Sequence, residues 1–301
     1  MQKLIVGCGY LGGRVADIWM AQGHVVYALT RSPTRADELA LRGVKPIIGD
    51  LSELNSLPDL PAVQTLLFAV GYDASSGQTR QQVQLGGLQN VVARLSDAKQ
   101  LVYISSSSVY SQSAGEWVDE TSECQPVQPG GIACLEAERW LLSSVAHSQT
   151  IAQANVLRLS GIYGPDRLLS RVDSLHAGNA LSGSGHEWLN LIHVDDAAAA
   201  VIACELRGSP GQTYLVSDDQ PISRAEYYAL LASLVAAPPP RFDPTNSPSR
   251  GSGGLNKRCC NKRLHDELQV ALQFPTINAG LPHALSNSVG RPSDPKPGPT
   301  G

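Results

Sequence analysis

The chain has 301 residues, 42% of them hydrophobic, and 27 acidic against 23 basic side chains give a formal charge of -4. That is enough apolar material for one globular unit with two lobes, and the mild acidity supplies no attraction for nucleic acid or an anionic membrane, so a small molecule is the expected partner. The six cysteines include no C-x-x-C pair, which argues against a zinc site or a disulfide framework; with no basic leader and no long apolar run, the expected location is the cytoplasm.

In chain order, the first strand is expected near residues 2–7, where Leu4-Ile5-Val6 runs into Gly7-Cys8-Gly9-Tyr10-Leu11-Gly12. In a G-x-G-x-x-G turn between a strand and a helix, the first glycine permits a tight turn and the second removes a side chain that would block a pyrophosphate. The third lets the helix pack against the strand, and the helix start offers free N–H groups to the phosphates. A helix over 11–22 closes at Gly23, and a second strand covers 24–30. An acidic residue about twenty positions past the glycines usually holds the ribose hydroxyls of NAD. Thr30-Arg31-Ser32 stands there instead. A guanidinium at that point pairs with a 2′-phosphate and Arg35 adds a second contact, so NADP is the expected cofactor and NAD the alternative; the competing reading leaves Arg31 a solvated loop arginine.

The third strand, 45–48, leads to Asp50-Leu51, placed to flank the adenine, and the fourth, 64–70, ends in Ala69-Val70-Gly71 on the adenosine side. A helix over 78–96, a strand at 100–105, a helix over 132–146 and a strand at 154–159 continue the alternation. This implies an α/β fold, a Rossmann-type doubly wound parallel sheet, with a smaller C-terminal substrate lobe. After Tyr163-Gly164-Pro165 the pattern breaks into shorter pieces. Residues 1–163, completed by about 190–218, form the dinucleotide-binding domain; 164–189 and 219–285 form the substrate lobe; 286–301, rich in Pro, Gly and Ser, read as a disordered tail. Within these limits Asn190 to Cys204 returns to a strand edge and an Ala-rich helix of the first domain, a seventh strand lies at 213–216, a helix at 223–236 and a loop at 238–254. Lys257, Arg258, Lys262 and Arg263 cluster around Asn261, either to grip a substrate phosphate or carboxylate or as a solvated face. His193, Asp195 and Asp196 read as a junction between the lobes, and no metal is expected.

These segments, together with Ser105-Ser106-Ser107-Ser108-Val109-Tyr110, Leu157-Arg158 and Ile192-His193-Val194-Asp195-Asp196, resemble the extended short-chain dehydrogenase/reductase superfamily, nearest its NAD-dependent epimerase/dehydratase proteins. The resemblance runs from about residue 3 to residue 285. It implies that Ser106 holds a substrate oxygen, beside Ser107; separately, Tyr110 and Tyr163 fall in loops at the strand C-terminal edge, where open α/β sheets bind ligands, so either could donate a proton, against a packing role for both motifs in the family. The superfamily's acid/base pair, Tyr-x-x-x-Lys, is replaced here by Gly130 and Cys134. No tyrosine lies between Tyr110 and Tyr163 and no lysine between Lys99 and Lys257, so the loss belongs to the chain. Without the lysine that tunes the phenol, proton transfer is weakened, and Cys134 on an apolar helix face is a packing residue. Ser107 and Ser108 stand where sugar dehydratases carry Asp and Glu, which disfavours 4,6-dehydratase chemistry.

The resulting expectation is an atypical NADP-preferring oxidoreductase or epimerase-like enzyme, monomeric or a homodimer, acting on a small, anionic sugar or carbonyl substrate. Tyr163, Lys257 and Arg258 are the expected substrate contacts besides the serines. The other reading is an inert NADP-binding sensor or scaffold.

Overall fold

The computed structural model describes residues 1–145, 148–245 and 256–286. The expected tail beyond 286 and the 246–254 part of the expected loop lie outside the described residues. Seven strands, β1 (Gln2–Val6), β2 (Val25–Thr30), β3 (Lys45–Ile48), β4 (Val63–Phe68), β5 (Ala98–Ser106), β6 (Ile151–Leu159) and β7 (Thr213–Val216), form one sheet in the order β7-β6-β5-β4-β1-β2-β3. Every neighbouring pair is parallel. The order reverses at β1, so a crevice opens beyond its C-terminal end, where doubly wound sheets take their ligands.

Side chains alternate across this sheet with a period of two. Leu4, Val6, Leu66, Phe68, Leu101 and Tyr103 fall in one buried core; Ile5, Leu67, Val102 and Leu157 fall in the other. Helices cover both faces: α1 (Tyr10–Ala21), α2 (Pro33–Leu41), α3 (Gly87–Arg94), α4 (Pro129–Val145) and, after α5 (Leu169–His176) of the second lobe, α6 (Val194–Arg207). Leu88 and Val91 of α3, with Ala137 and Leu141 of α4, complete the first core, while Val15, Ala16 and Trp19 of α1 meet the alanines of α6 in the second. Each fully buried leucine or phenylalanine contributes about 1.5–3 kcal/mol. A polar tie pins α6 to the sheet: buried Lys3 pairs with Glu205, whose other oxygen accepts from Trp19 Nε1 at 2.8 Å.

The second lobe has its own core, in which Leu175 of α5 and Tyr227 and Leu231 of α7 (Arg224–Leu234) meet Tyr163 and Leu191. The helix α8 (Lys262–Asp266) departs from expectation. Leu264, with Leu268 and Val270, packs into the first lobe's core and not with the substrate lobe expected over 219–285, because Arg263 anchors it on β7, donating to Thr213 O at 3.1 Å and lying 5.0 Å over the Tyr214 ring. Leu281 and Ala284 of α9 (Ile277–Ser286) return to the second core. The strand expected near Asn190 forms as Leu191–His193, but it pairs with Gly161–Tyr163 outside the main sheet. The lobes meet at Tyr10, whose hydroxyl donates to Pro165 O at 2.8 Å and whose ring lies between Arg14 and Arg167, each guanidinium 4.3 Å from its centre. Among the described residues no helix is long and apolar enough to cross a membrane.

Candidate active site

Two adjoining clefts open at the C-terminal edge of the sheet, of about 610 and 190 Å³, sharing Gly7, Leu29, Thr30, Val70 and Gly71. The larger begins at the glycine loop. Gly7 has a φ of +95°, and a Cβ there would stand 2.4 Å from Ala69 O; a Cβ on Gly12 would stand 2.4 Å from Gly7 O. Those two glycines therefore serve close packing. A Cβ on Gly9 would meet nothing within 4 Å, so that position faces open space. The helix α1 starts there with no side-chain cap and no acidic residue in its first turn, which leaves its N-terminal dipole and N–H groups uncompensated.

Of the residues expected around a dinucleotide, Cys8, Tyr10, Leu11, Arg35 and Ala69 line the larger cleft, and Arg31, Asp50 and Leu51 the smaller. Arg35 reaches back to donate to Cys8 O at 3.2 Å and also pairs with Glu38. Arg31 is half exposed and lies 3.3 Å from the Asp73 carboxylate across the rim. The Asp73 carboxyl is held below its usual range chiefly by Ser75, which donates through its hydroxyl and backbone N–H, and then by Arg31.

At the far end, Ser106 closes β5 and lines the cleft while its hydroxyl accepts from Ser108 N at 3.1 Å, so it caps the strand end and borders the cleft together. Ser108 lines the cleft, whereas the expected Ser107 does not; it lies against the Cys259 thiol. Gly130 and Cys134, one turn apart in α4, both face the cleft. Burial pushes the Cys134 thiol up, as does the nearby Glu138 carboxylate, so its thiolate is disfavoured.

Arg80, which sequence reasoning passed over, fills the space beside Gly130. Its Nη1 lies 3.7 Å from where a Gly130 Cβ would project, and its guanidinium sits 4.1 Å over the Tyr72 ring. Thr79 and Gln82 form a reciprocal capping box, with Gln82 N donating to Thr79 Oγ1 at 3.1 Å and Thr79 N to Gln82 Oε1 at 2.8 Å. Thr79-Arg80-Gln81-Gln82 was thus the readable signal, since it puts Arg80 at the first helical position, ahead of a π-turn at Gln82–Gly86 and α3. A cation there opposes the helix dipole, at about 0.3–1 kcal/mol. Arg35, Arg80 and Arg167 all line the larger cleft, and among the described residues no carboxylate does.

Behind this end lies a buried ion pair. Arg158 Nη2 meets Glu138 Oε2 at 2.7 Å, Ser105 donates to the same carboxylate, and Arg158 Nη1 donates to the Tyr110 hydroxyl at 2.9 Å. Tyr110 is accordingly fully buried and does not reach the cleft, and burial raises its phenol well above the usual range. Tyr163, 1% exposed, packs its ring edge-on to His193 in the second core and also misses the cleft. Both expectations of a substrate-facing tyrosine are corrected by burial. The basic cluster likewise disperses: Lys257 is buried with its ammonium pushed down, Arg258 lies between Trp117 and Trp188, Lys262 pairs with Asp266 and Arg263 with Glu267.

Two further polar groups sit where the lobes meet. Asp218 is buried with no side-chain partner on either carboxylate oxygen, and burial pushes it up to about 8 against the opposing effect of the nearby Gln220 backbone N–H. His193 accepts from Asp195 N at 3.2 Å and burial lowers it to about 4, so the ring is neutral. Asp195 binds Arg14, and Asp196 accepts from the Gln273 and Phe274 N–H groups. His193, Asp195 and His283 bring one ligand atom each within 4.8 Å of one another.

Residues 4–217 match the family described as NAD dependent epimerase/dehydratase. Protein YeeZ of Escherichia coli K12 is 28% identical over 292 residues, covering 91% of this chain and 97% of its own. A 3-diazoavenalumate denitrifying reductase of a Streptomyces species is 28% identical over 261 residues, 81% of this chain and 84% of its own. Among solved structures, a UDP-glucuronic acid 4-epimerase from Bacillus cereus in complex with NAD superposes with a TM-score of 0.72 at 16% identity, covering 95% of this chain and 96% of that one, a likeness of fold.

Proposed function

Because the chain belongs to the NAD dependent epimerase/dehydratase family and is an oxidoreductase of the short-chain dehydrogenase/reductase type, we propose that it uses NADP in preference to NAD on a small carbonyl or sugar substrate. The observation that carries the reading is the open space beside Gly9 at an uncapped helix start. A pyrophosphate fits there, since it needs bare backbone, unpaired N–H groups and no competing carboxylate. Arg35 lines the same cleft and Arg31 the rim of the adjoining one, where they would hold a 2′-phosphate; Asp50 and Leu51 would flank the adenine. The bound nicotinamide supplies the hydride chemistry. At the far end Ser106 would donate a hydrogen bond to the substrate oxygen, with its backbone held by the strand end it closes. No buried tyrosine takes part, and the proton exchanges with solvent through the open cleft. The six free cysteines suit a reducing compartment such as the cytoplasm.

Calorimetric titration with NADPH and NADH tests this reading. NADPH is expected to bind more tightly, and the preference to shrink by about tenfold in Arg35→Ala or Arg31→Ala, the scale of a lost charge-assisted contact. Equal affinities in the wild type would refute the NADP assignment, and no binding of either would refute the dinucleotide site. Tight binding without turnover over a panel of carbonyl compounds and nucleotide sugars would leave a sensor or scaffold instead of an enzyme.

A further inference from the structure

We propose that Arg80 receives the carboxylate of an anionic substrate in the space that Gly130 leaves bare. The proposal rests on the oxidoreductase reading for the placing of substrate at this end of the cleft, and deepens it by naming the substrate's charged group.

The first ground is the guanidinium's surroundings. It sits over the Tyr72 ring, 4.1 Å from its centre, and flanks Gly130 at 3.7 Å from the missing Cβ. A stacked guanidinium keeps its N–H edge free for donation, and a carboxylate matches that fork with two parallel bonds. Among the described residues it makes no ion pair, and the carboxylates that pair with arginines pair with other arginines. The second ground is backbone placement. The capping box of Thr79 and Gln82 fixes Arg80 at a helix start, where the dipole repels a cation. An anion arriving from the cleft relieves that repulsion and supplies the absent counter-charge together.

The other two cationic residues of the cleft have separate places. Arg35 is bonded to Cys8 O and Glu38, and Arg167 is seated on Tyr10 beside the glycine loop. Arg80 alone of the three borders Gly130, and it shares its cleft with the Ser106 and Ser108 hydroxyls. A guanidinium stays charged at any pH the protein tolerates, so it holds and orients an anion and does not move a proton. It replaces the charge of the lost acid/base pair and leaves the proton transfer unreplaced.

The test compares pyruvate with its neutral amide, pyruvamide, by ligand-observed proton NMR on the full chain, with NADP+ present so that no hydride is available, and again without cofactor. The wild type is expected to bind pyruvate about tenfold more tightly than pyruvamide, the scale of a charged hydrogen bond. Arg80→Gln should abolish that difference, Arg80→Lys should keep part of it, and NADP+ affinity should stay within about twofold in both. Thermal melting confirms folding, which the exposed position of Arg80 favours. An unchanged preference in Arg80→Gln, a preference lost only in Arg167→Gln, or no preference in the wild type would each overturn the proposal. Failure of NADP+ to bind would refute the cofactor reading instead, and the cofactor-free titration would still decide Arg80.

Discussion

The two ends of the large cleft are made of different material. At the glycine loop the wall is backbone: a positive-φ glycine against Ala69, a second glycine facing open space and a helix start without a cap. At the other end the wall is side chains from separate segments, with Arg80 after β4, Ser106 at the end of β5, Ser108 just past it and Cys134 in α4. A backbone wall tolerates almost no substitution, because the missing atoms are the functional feature. A side-chain wall can exchange its chemistry while the supporting helices stay in place, and here it presents a glycine and a cysteine with an arginine alongside.

The sharpest way to break this contrast is at the loop. Gly9→Val is expected to lower NADP+ affinity by more than about a hundredfold with unchanged melting, since its side chain enters only the space a pyrophosphate would take. Gly7→Ala should do the reverse, costing about 2–4 kcal/mol of stability through the clash with Ala69 O and a strained φ. Calorimetry and thermal melts separate the two, and a Gly9→Val protein that binds normally would remove the backbone account. At the other end, Arg158→Met should cost about 3–5 kcal/mol in urea denaturation by leaving Glu138 buried and unpaired. Adding Glu138→Leu should restore most of that; no recovery would mean the pair supports the site in some other way.

A smaller effect tests the lobe junction. Asp218, pushed up to about 8, holds its proton more tightly folded than unfolded, so its contribution is complete below the ordinary carboxylate range. Stability is then lost as pH rises from about 4 to about 8, by up to about 1.4 kcal/mol per unit. Asp218→Asn should match the wild type near pH 4 and exceed it near pH 8 by circular dichroism melting; parallel curves would show that the carboxyl is not strained. The least effect is expected from Cys134→Ser, with turnover within about twofold, because a thiol raised by burial carries little thiolate. Collapse of turnover in that variant would make the cysteine the working residue and dissolve the contrast between the two ends.

What could be read in advance follows the same division. All seven sheet strands were legible near their final limits, because each carries a short apolar run between turns, even the partly exposed edge strand β3. The glycine loop was legible because each of its requirements sits on one residue. The far end was not: Tyr110 looks available until Arg158, 48 residues away, engages its hydroxyl, and Arg258 looks available until Trp117 and Trp188 enclose it. Arg80 was hidden for the opposite reason, since nothing near it in sequence tells that its helix start will be brought opposite Gly130.

Tyr10 has a bearing on modularity. A residue inside the glycine loop is bonded to Pro165 and stacked against Arg167, both from beyond the first 163 residues, and against Arg14 from the loop's own helix. The nucleotide half is therefore not a free-standing cassette. Grafting the first lobe onto another substrate lobe would carry over the glycines but not the carbonyl and the guanidinium that hold the loop's tyrosine, so recombination within this fold has to preserve that seam.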